Sequence, residues 1–478
     1  MTAARQVLRR VGPCIMALLT ASLLIACASP GTTAMRPALP MDLPATLGDL
    51  PAGVQAPDAD WVAAYGNAEL VALVDETLMA NPDLAVARAR ILAADARTKS
   101  MSAGLLPQLD ASANATRVSG STREGSAVET DRGVQLSMQY ELDFWKAVRS
   151  ARDGARAQAA GLRFDAQVLH ISLQAAAVVA YIGVADLRAR QQSVRDQQRA
   201  LTESLEVLQA RRVAGLAVAS DLAGLRAQLA TANATLGQLQ QQEQDAAAAL
   251  ALLMGRSDAH LALAQARLDQ LRTPPLTGTT PAELLLRRPD IASAEAALAA
   301  ADANVAAARA ALLPRVVLDL GVALQNPGFN AAVTTLEGTG LSSSLAASVL
   351  QPIFDGGRRR AERDVAVAEQ QGMIAAYRGS LLTALVDAQR ALAAEHAIGQ
   401  QLEPVAANVA ALQDAMAVLG ARYSAGLGDR LALLDAQRAL LGARDQQQQL
   451  RVQQLLASVG VYRAFGGGWQ KAQQGMQQ

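Results

Sequence analysis

The sequence is short of the residues that staple small folds or hold metals. Its 478 residues include two cysteines and three histidines. Cys14 and Cys27 lie near the N-terminus, and His170, His260 and His396 stand far apart. A disulfide scaffold, a Cys/His zinc site and a Cys/His nucleophile pair are therefore nearly excluded. Aromatic residues make up only 3%, which suits long thin helices better than a thick globular core. Neither sign of charge prevails, with 43 basic and 43 acidic residues. That balance removes a chain-wide basic footprint for nucleic acid and an acidic disordered tail. Beyond the N-terminal segment no run of 18 apolar residues occurs, so no transmembrane helix is expected. What is present is 51% hydrophobic and 18% charged, a balance that excludes intrinsic disorder. Ala, Leu, Gln and Arg crowd the chain, and all four are strong helix formers. Length alone would suggest about three domains.

The first residues read as an address. Arg5, Arg9 and Arg10 precede an apolar run from Ile15 to Ala26. A membrane span needs about 20 residues, so this run fits a signal peptide better. Leu24-Ile25-Ala26-Cys27 resembles a bacterial lipobox. The resemblance implies a signal peptide over 1–26 and a lipid on the Cys27 sulfur. Ala28 in place of aspartate favours outer-membrane sorting by the same resemblance. An ordinary signal peptide cleaved nearby is the alternative. Residues 27–60 are rich in Pro, Gly and small residues, the composition of an extended tether.

The rest of the chain is written twice. Asn81-Pro82-Asp83-Leu84 returns as Arg288-Pro289-Asp290-Ile291, and Leu105-Leu106-Pro107 as Leu312-Leu313-Pro314, both 207 residues on. Arg212-Val213-Ala214-Gly215-Leu216 matches Tyr423-Ser424-Ala425-Gly426-Leu427 at 211, and Ala227-Gln228 matches Ala436-Gln437 at 209. The reading is two large units, 62–254 and 283–465, with a connector over 255–282 and a flexible tail over 466–478. Each unit opens on a helix with proline in its first turn, expected to reach Gly104 in one copy and Leu313 in the other.

Two alternating stretches follow in each copy, about 109–142 and 316–350. Leu109, Ala111 and Ala113 alternate with Asp110, Ser112 and Asn114. Val134, Leu136 and Met138 alternate with Gln135, Ser137 and Gln139. Val316 to Leu324 and Leu341 to Val349 repeat the scheme. Period 2 over about 9–10 residues is the pattern of a membrane barrel strand, apolar outside and polar inside. An amphipathic hairpin of a soluble domain shows the same pattern. Long helical stretches come next, with leucines at 222, 225, 229, 236 and 239 and Ala232 spaced 3 and 4 apart. Leu402, Val405, Val409, Leu412, Met416 and Leu419 repeat that rhythm, a coiled-coil seam. Pro404 is expected to kink or break its helix. Four strands per chain are too few for a single-chain barrel of about eight, and open edges are not tolerated in lipid. Membrane strands would therefore require several protomers in one barrel.

Several segments resemble the TolC/NodT-like outer membrane factor family in its lipoprotein branch. They are the lipobox, Glu141-Leu142-Asp143-Phe144-Trp145, Phe354-Asp355-Gly356-Gly357-Arg358, Arg422-Tyr423-Ser424-Ala425-Gly426-Leu427 and Leu433-Leu434-Asp435-Ala436-Gln437-Arg438. The resemblance implies a mainly α chain of two long antiparallel helical hairpins forming an α-barrel. Four strands per chain would join a trimeric twelve-stranded outer-membrane β-barrel. It implies a homotrimer, a periplasmic adaptor, an inner-membrane transporter of the RND type, outer-membrane lipid, no cofactor and no enzyme activity. The duct would export small molecules. An exit duct for type I protein secretion and a structural or adaptor coiled-coil lipoprotein are the alternatives.

The residues singled out lie at the hairpin tips. Gly215 and Gly426 permit the positive φ of a helix C-cap, and with Arg212, Leu216, Arg422 and Leu427 they are expected to meet the adaptor. By resemblance Asp435 forms an acidic ring in the constriction with Leu431 as an apolar ring beside it, and Asp221 takes the comparable place in copy one. Three carboxylates in a narrow throat would bind cations and repel anions. A solvated helix-face aspartate is the plainer reading. Tyr423, Arg211, Arg212 and Arg422 are candidates for bonds that hold the tips closed. Gly428 stands where some relatives carry arginine, which leaves Arg430 or Asp429 for that task.

Overall fold

The structure is a computed structural model. It describes residues 60–122, 125–215, 217–258, 261, 263–274, 288–327 and 340–467. All belong to the second of two units, residues 43–478.

The helices are α1 (Ala68–Ala80), α2 (Pro82–Ala103), α3 (Ala147–Val213), α4 (Ala219–Leu253), α5 (Pro289–Ala310), α6 (Arg358–Ser424) and α7 (Arg430–Ala464). The strands are β1 (Gln108–Thr122), β2 (Gly125–Glu141), β3 (Arg315–Pro327) and β4 (Gly340–Leu350). The duplication is visible in length. α2 and α5 have 22 residues each, α3 and α6 have 67, and α4 and α7 have 35. At 1.5 Å per residue the 67-residue helices are roughly 100 Å long.

Local chemistry sets the ends. Pro82 and Pro289 each open a helix, where the missing N–H costs nothing. Asn81 caps α2 by accepting the Asp83 N–H at 2.9 Å. α5 stops at Ala310 rather than Leu313, because the N–H groups of Leu312 and Leu313 turn back to Arg309 and Ala310. Pro404 does not interrupt α6, which is continuous from Arg358 to Ser424. The flanking turns carry the helix past one missing hydrogen bond. The 209-residue offset also fails. The tip glycines, the starts of α4 and α7 and their ends all differ by 211, so Ala227-Gln228 and Ala436-Gln437 are not structural counterparts.

The strands form one antiparallel sheet in the order β1-β2-β3-β4. Its register groups the alternating residues. Leu109 faces Met138, which faces Leu320, which faces Leu345. The next row on the other face holds Gln108, Gln139, Asp319 and Ala346, with Gln139 donating to Asp319 at 3.2 Å. One face is thus apolar and the other largely polar. Leu341, Leu345 and Val349 are about 70% exposed or more.

Each long hairpin carries a buried seam. Leu201, Leu208, Leu222, Leu225 and Ala232 pack together in the first, and Val409, Leu440 and Ala443 with Leu412 and Met416 in the second. A larger core joins α1, the middle of α3, the end of α4, the connector and the end of α7. Trp61, Tyr65, Tyr181, Leu250, Leu271 and Leu455 are fully buried there. Arg451 of α7 ties the connector down through the Leu271 carbonyl at 2.8 Å and the Thr273 hydroxyl at 2.6 Å. Two 18-residue windows, in α3 and α6, are apolar enough to cross a membrane, although neither is an unbroken apolar run. The α3 window is half buried, whereas that of α6 is only 6% buried.

Candidate functional site

The hairpin tips are built by the same turn. At Gly426 φ is +73°, and its N–H bonds the Tyr423 carbonyl at 3.0 Å while Leu427 N–H reaches the Arg422 carbonyl at 2.9 Å. That pair of bonds is the Schellman arrangement, which needs a left-handed residue and selects glycine. Gly215 has the same φ, and its N–H bonds the Arg212 carbonyl at 3.0 Å. Leu216 lies outside the described residues. Val213 and Leu427 stand 92% and 74% exposed on the tips.

The tips are joined side by side. Arg211, at the end of α3, lies 3.3 Å from the Asp429 carboxylate that precedes α7. The Arg430 guanidinium sits over the Tyr423 ring at 5.1 Å, a cation–π contact. Gly428 has a steric reason for being glycine. A Cβ there would lie 3.0 Å from the Tyr423 nitrogen and 3.1 Å from the Arg422 carbonyl carbon. Both atoms are backbone, so a side chain there would require the tip turn to shift by a few tenths of an ångström. Arg212 and Arg422 contribute their carbonyls to the tip turns, and both residues are exposed.

Asp435 is exposed, with Arg438 one turn on at 3.3 Å. Asp221 accepts from the Ser220 hydroxyl at 3.4 Å. The two aspartates are not equivalent. Asp221 is the third residue of α4, whereas Asp435 is the sixth of α7, and the counterpart of Asp435 is Gly224. Leu431 is the second residue of α7, and its side chain is not among those described. Cys27 also lies outside the described residues.

The strand-to-helix junctions, at Asp143-Phe144-Trp145 and Phe354-Asp355-Gly356-Gly357, each hold an aspartate that caps the helix after it. Asp143 accepts from the N–H groups of Val148 and Arg149 at 3.0 and 2.9 Å. Asp355 accepts from Gly357 and Arg359 at 3.0 and 3.2 Å. Each caps the first turn of a 67-residue helix. The Arg359 N–H, aided by that of Gly357 and by the charges of Arg358 and Arg359, holds the Asp355 carboxyl below the usual range despite opposing desolvation. An aspartate three or four residues before each helix was the readable signal. Lys146 and Gly357, just before the helices, both have positive φ.

The family model described as outer membrane efflux protein matches residues 73–256 and again 280–467. The chain belongs to the outer membrane efflux protein family. It is 36% identical over 426 residues to the pyoverdine export outer membrane protein OpmQ of Pseudomonas aeruginosa, covering 87% of this chain and 89% of that one. The outer membrane protein OprJ of the same organism is 31% identical, covering 95% and 96%. Among solved structures, the outer-membrane channel OprN superposes with a TM-score of 0.77 at 28% identity, covering 90% of this chain and 99% of that chain. The open-state MtrE outer membrane channel of Neisseria gonorrhoeae gives 0.75 at 26%, covering 92% and 100%. As a member of this family the chain is an outer-membrane protein of efflux, and its solved relatives are channels.

Proposed function

We propose that three copies of this chain close into one duct, with twelve strands in the outer membrane and six long hairpins continuing them into the periplasm. One observation carries the reading. Among the described residues the sheet ends in two unpaired edges, β1 and β4, and such edges are untenable in lipid unless another chain pairs with them. β4 of one copy would pair with β1 of the next. The apolar window of α6, 6% buried within one chain, would pack on the neighbouring copy at the same time. The apolar row through Leu109, Met138, Leu320 and Leu345 then faces lipid, and Cys27 adds a lipid anchor.

At the other end the exposed tips around Gly215 and Gly426 receive the helical hairpins of a periplasmic adaptor, which couples the duct to an inner-membrane transporter of the RND type. Asp435 from three copies lines the throat. The chain conducts rather than catalyses. Its cargo is small, in keeping with relatives named for pyoverdine export and toluene efflux.

Single-channel recording of the purified lipoprotein, with divalent cations titrated on each side, tests this. Small uniform cation-selective steps blocked from the tip side alone are expected. A verified folded oligomer that gives no steps overturns the reading in favour of a structural lipoprotein.

A further inference from the structure

Away from the tips, the two hairpins and the connector line an open cavity of about 1280 Å³. It lies where the middle of α3 and residue 243 of α4 meet residues 402–406 of α6 and 441–454 of α7, with residues 266–269 at its side. Its charge is unbalanced, with five arginines against the three carboxylates Asp196, Glu243 and Asp269.

Those carboxylates are already engaged. Glu243 accepts from Arg188 at 2.6 Å and from Gln191 at 2.7 Å. Asp269 takes both arms of Arg267, at 2.8 and 3.1 Å. Asp196 takes Gln192 at 3.0 Å and Arg199 as well. Three guanidinium groups form no close ion pair among the described residues, although the charge of Arg195 acts on Glu243. Arg195 donates to the neutral Gln191 side chain at 3.0 Å. Arg451 has only neutral acceptors, the Leu271 carbonyl, the Thr273 hydroxyl and the Gln454 amide. Arg444 has no partner among the described residues. Burial depresses the basicity of Arg451, the mark of a charge held partly out of water without a counter-ion. Between these cations the wall is mixed, with apolar Ala189, Leu402, Val405 and Leu441 beside Gln192, Gln447 and Gln448.

We infer that this cavity is a binding site for an organic anion, a molecule with an apolar body and a single carboxylate, sulfonate or phosphate group. The oxyanion would take charge-assisted hydrogen bonds from Arg195, Arg444 and Arg451, whose forked donors suit such groups. The apolar body would cover Leu402 and Leu441. All of these groups come from one chain.

Isothermal titration calorimetry of the full chain in nonionic detergent decides it, with naphthalenesulfonate as probe and naphthalenemethanol as its neutral counterpart. Saturable binding of the sulfonate at one site per chain is expected, with the neutral compound much weaker. R444Q and R195Q should each weaken it about tenfold or more, the scale of a hydrogen bond to a charged group. R451Q also loosens the connector, so the test rests on the two exposed arginines. Equal binding of the neutral compound, or unchanged affinity in the R195Q/R444Q double variant, overturns the inference. Displacement by inorganic sulfate at the same concentration as the probe overturns its apolar half.

Discussion

Arg211 and Asp429 are 218 residues apart and meet at 3.3 Å, one from each hairpin tip. Both side chains are partly solvent-exposed, so the pair adds at most about 1 kcal/mol of stability. Its effect is on position, because it fixes one tip against the other. R211A and D429A should therefore raise channel conductance while leaving the thermal midpoint nearly unchanged. The reversed pair R211D/D429R should return conductance to the low state. Raising the salt should relax the wild type towards the variants, since exposed pairs are screened. Unaltered conductance in both single variants would show that the tips are held by other bonds.

Asp435 and Asp221 should separate in a divalent-block experiment. In a threefold assembly Asp435 contributes three carboxylates at one level. Its counterpart in the first hairpin is Gly224, so the first hairpin adds none there. D435A should weaken divalent-cation block by about tenfold, as expected when an acidic ring that focuses cations is removed. D221A should change block little. Equal effects would mean that the two aspartates share the constriction.

The legible parts of this chain were those written as period or as repeat. Strand alternation survives into the register because side chains point to opposite faces at every step. The 3–4 leucine rhythm survives because one helix face is buried, as at Leu222, Leu225 and Ala232. Gly215 and Gly426 were readable because a left-handed cap selects glycine. The Arg211–Asp429 pair was not, since exposed charges choose partners only after the hairpins pack. Proximity likewise hides the cavity arginines, which come from residues 188 to 451. Pro404 does not break its helix, because long packed helices tolerate one lost hydrogen bond. The alanine-rich composition offered a false 209-residue match beside the true 211.

The junction carboxylates predict a pH response of defined sign. The Asp355 carboxyl is held below its ordinary range, chiefly by the Arg359 N–H. A depressed folded value adds stability above the unfolded value of about 3.9. That stability is lost as pH falls through the folded value. D355N should therefore be less stable than wild type at neutral pH and show a flatter decline on acidification. D143A removes two helix-capping bonds and should cost about 1–2 kcal/mol. Thermal unfolding followed by circular dichroism from neutral pH downward reads both. Parallel acid slopes for wild type and D355N would remove Asp355 as a source of the pH dependence.

The N-terminal end of the described chain is held by an aromatic lock. Trp61 stacks on Tyr462 of α7, with ring centroids 5.1 Å apart and planes 18° from parallel, and it meets the Tyr65 ring edge-on at 6.0 Å. The Tyr65 hydroxyl bonds Ser458 Oγ at 2.8 Å. W61A should cost about 3–5 kcal/mol, the range for truncating a buried large aromatic. Y65F should cost about 1 kcal/mol, because Ser458 keeps its bond to the Leu455 carbonyl at 2.7 Å. Burial pushes the Tyr65 hydroxyl well above its ordinary range. The stability it confers is full below the unfolded value of about 10 and is lost as pH rises through the folded value, a loss that Y65F should not show. Amide hydrogen exchange over residues 60–81 should quicken in the order wild type, Y65F, W61A. This lock holds the segment that precedes α1, so W61A should free that segment from the hairpins while conductance persists. Unchanged exchange in W61A would place the grip elsewhere, in the Asn67 and Glu69 contacts to the connector backbone at Gln265.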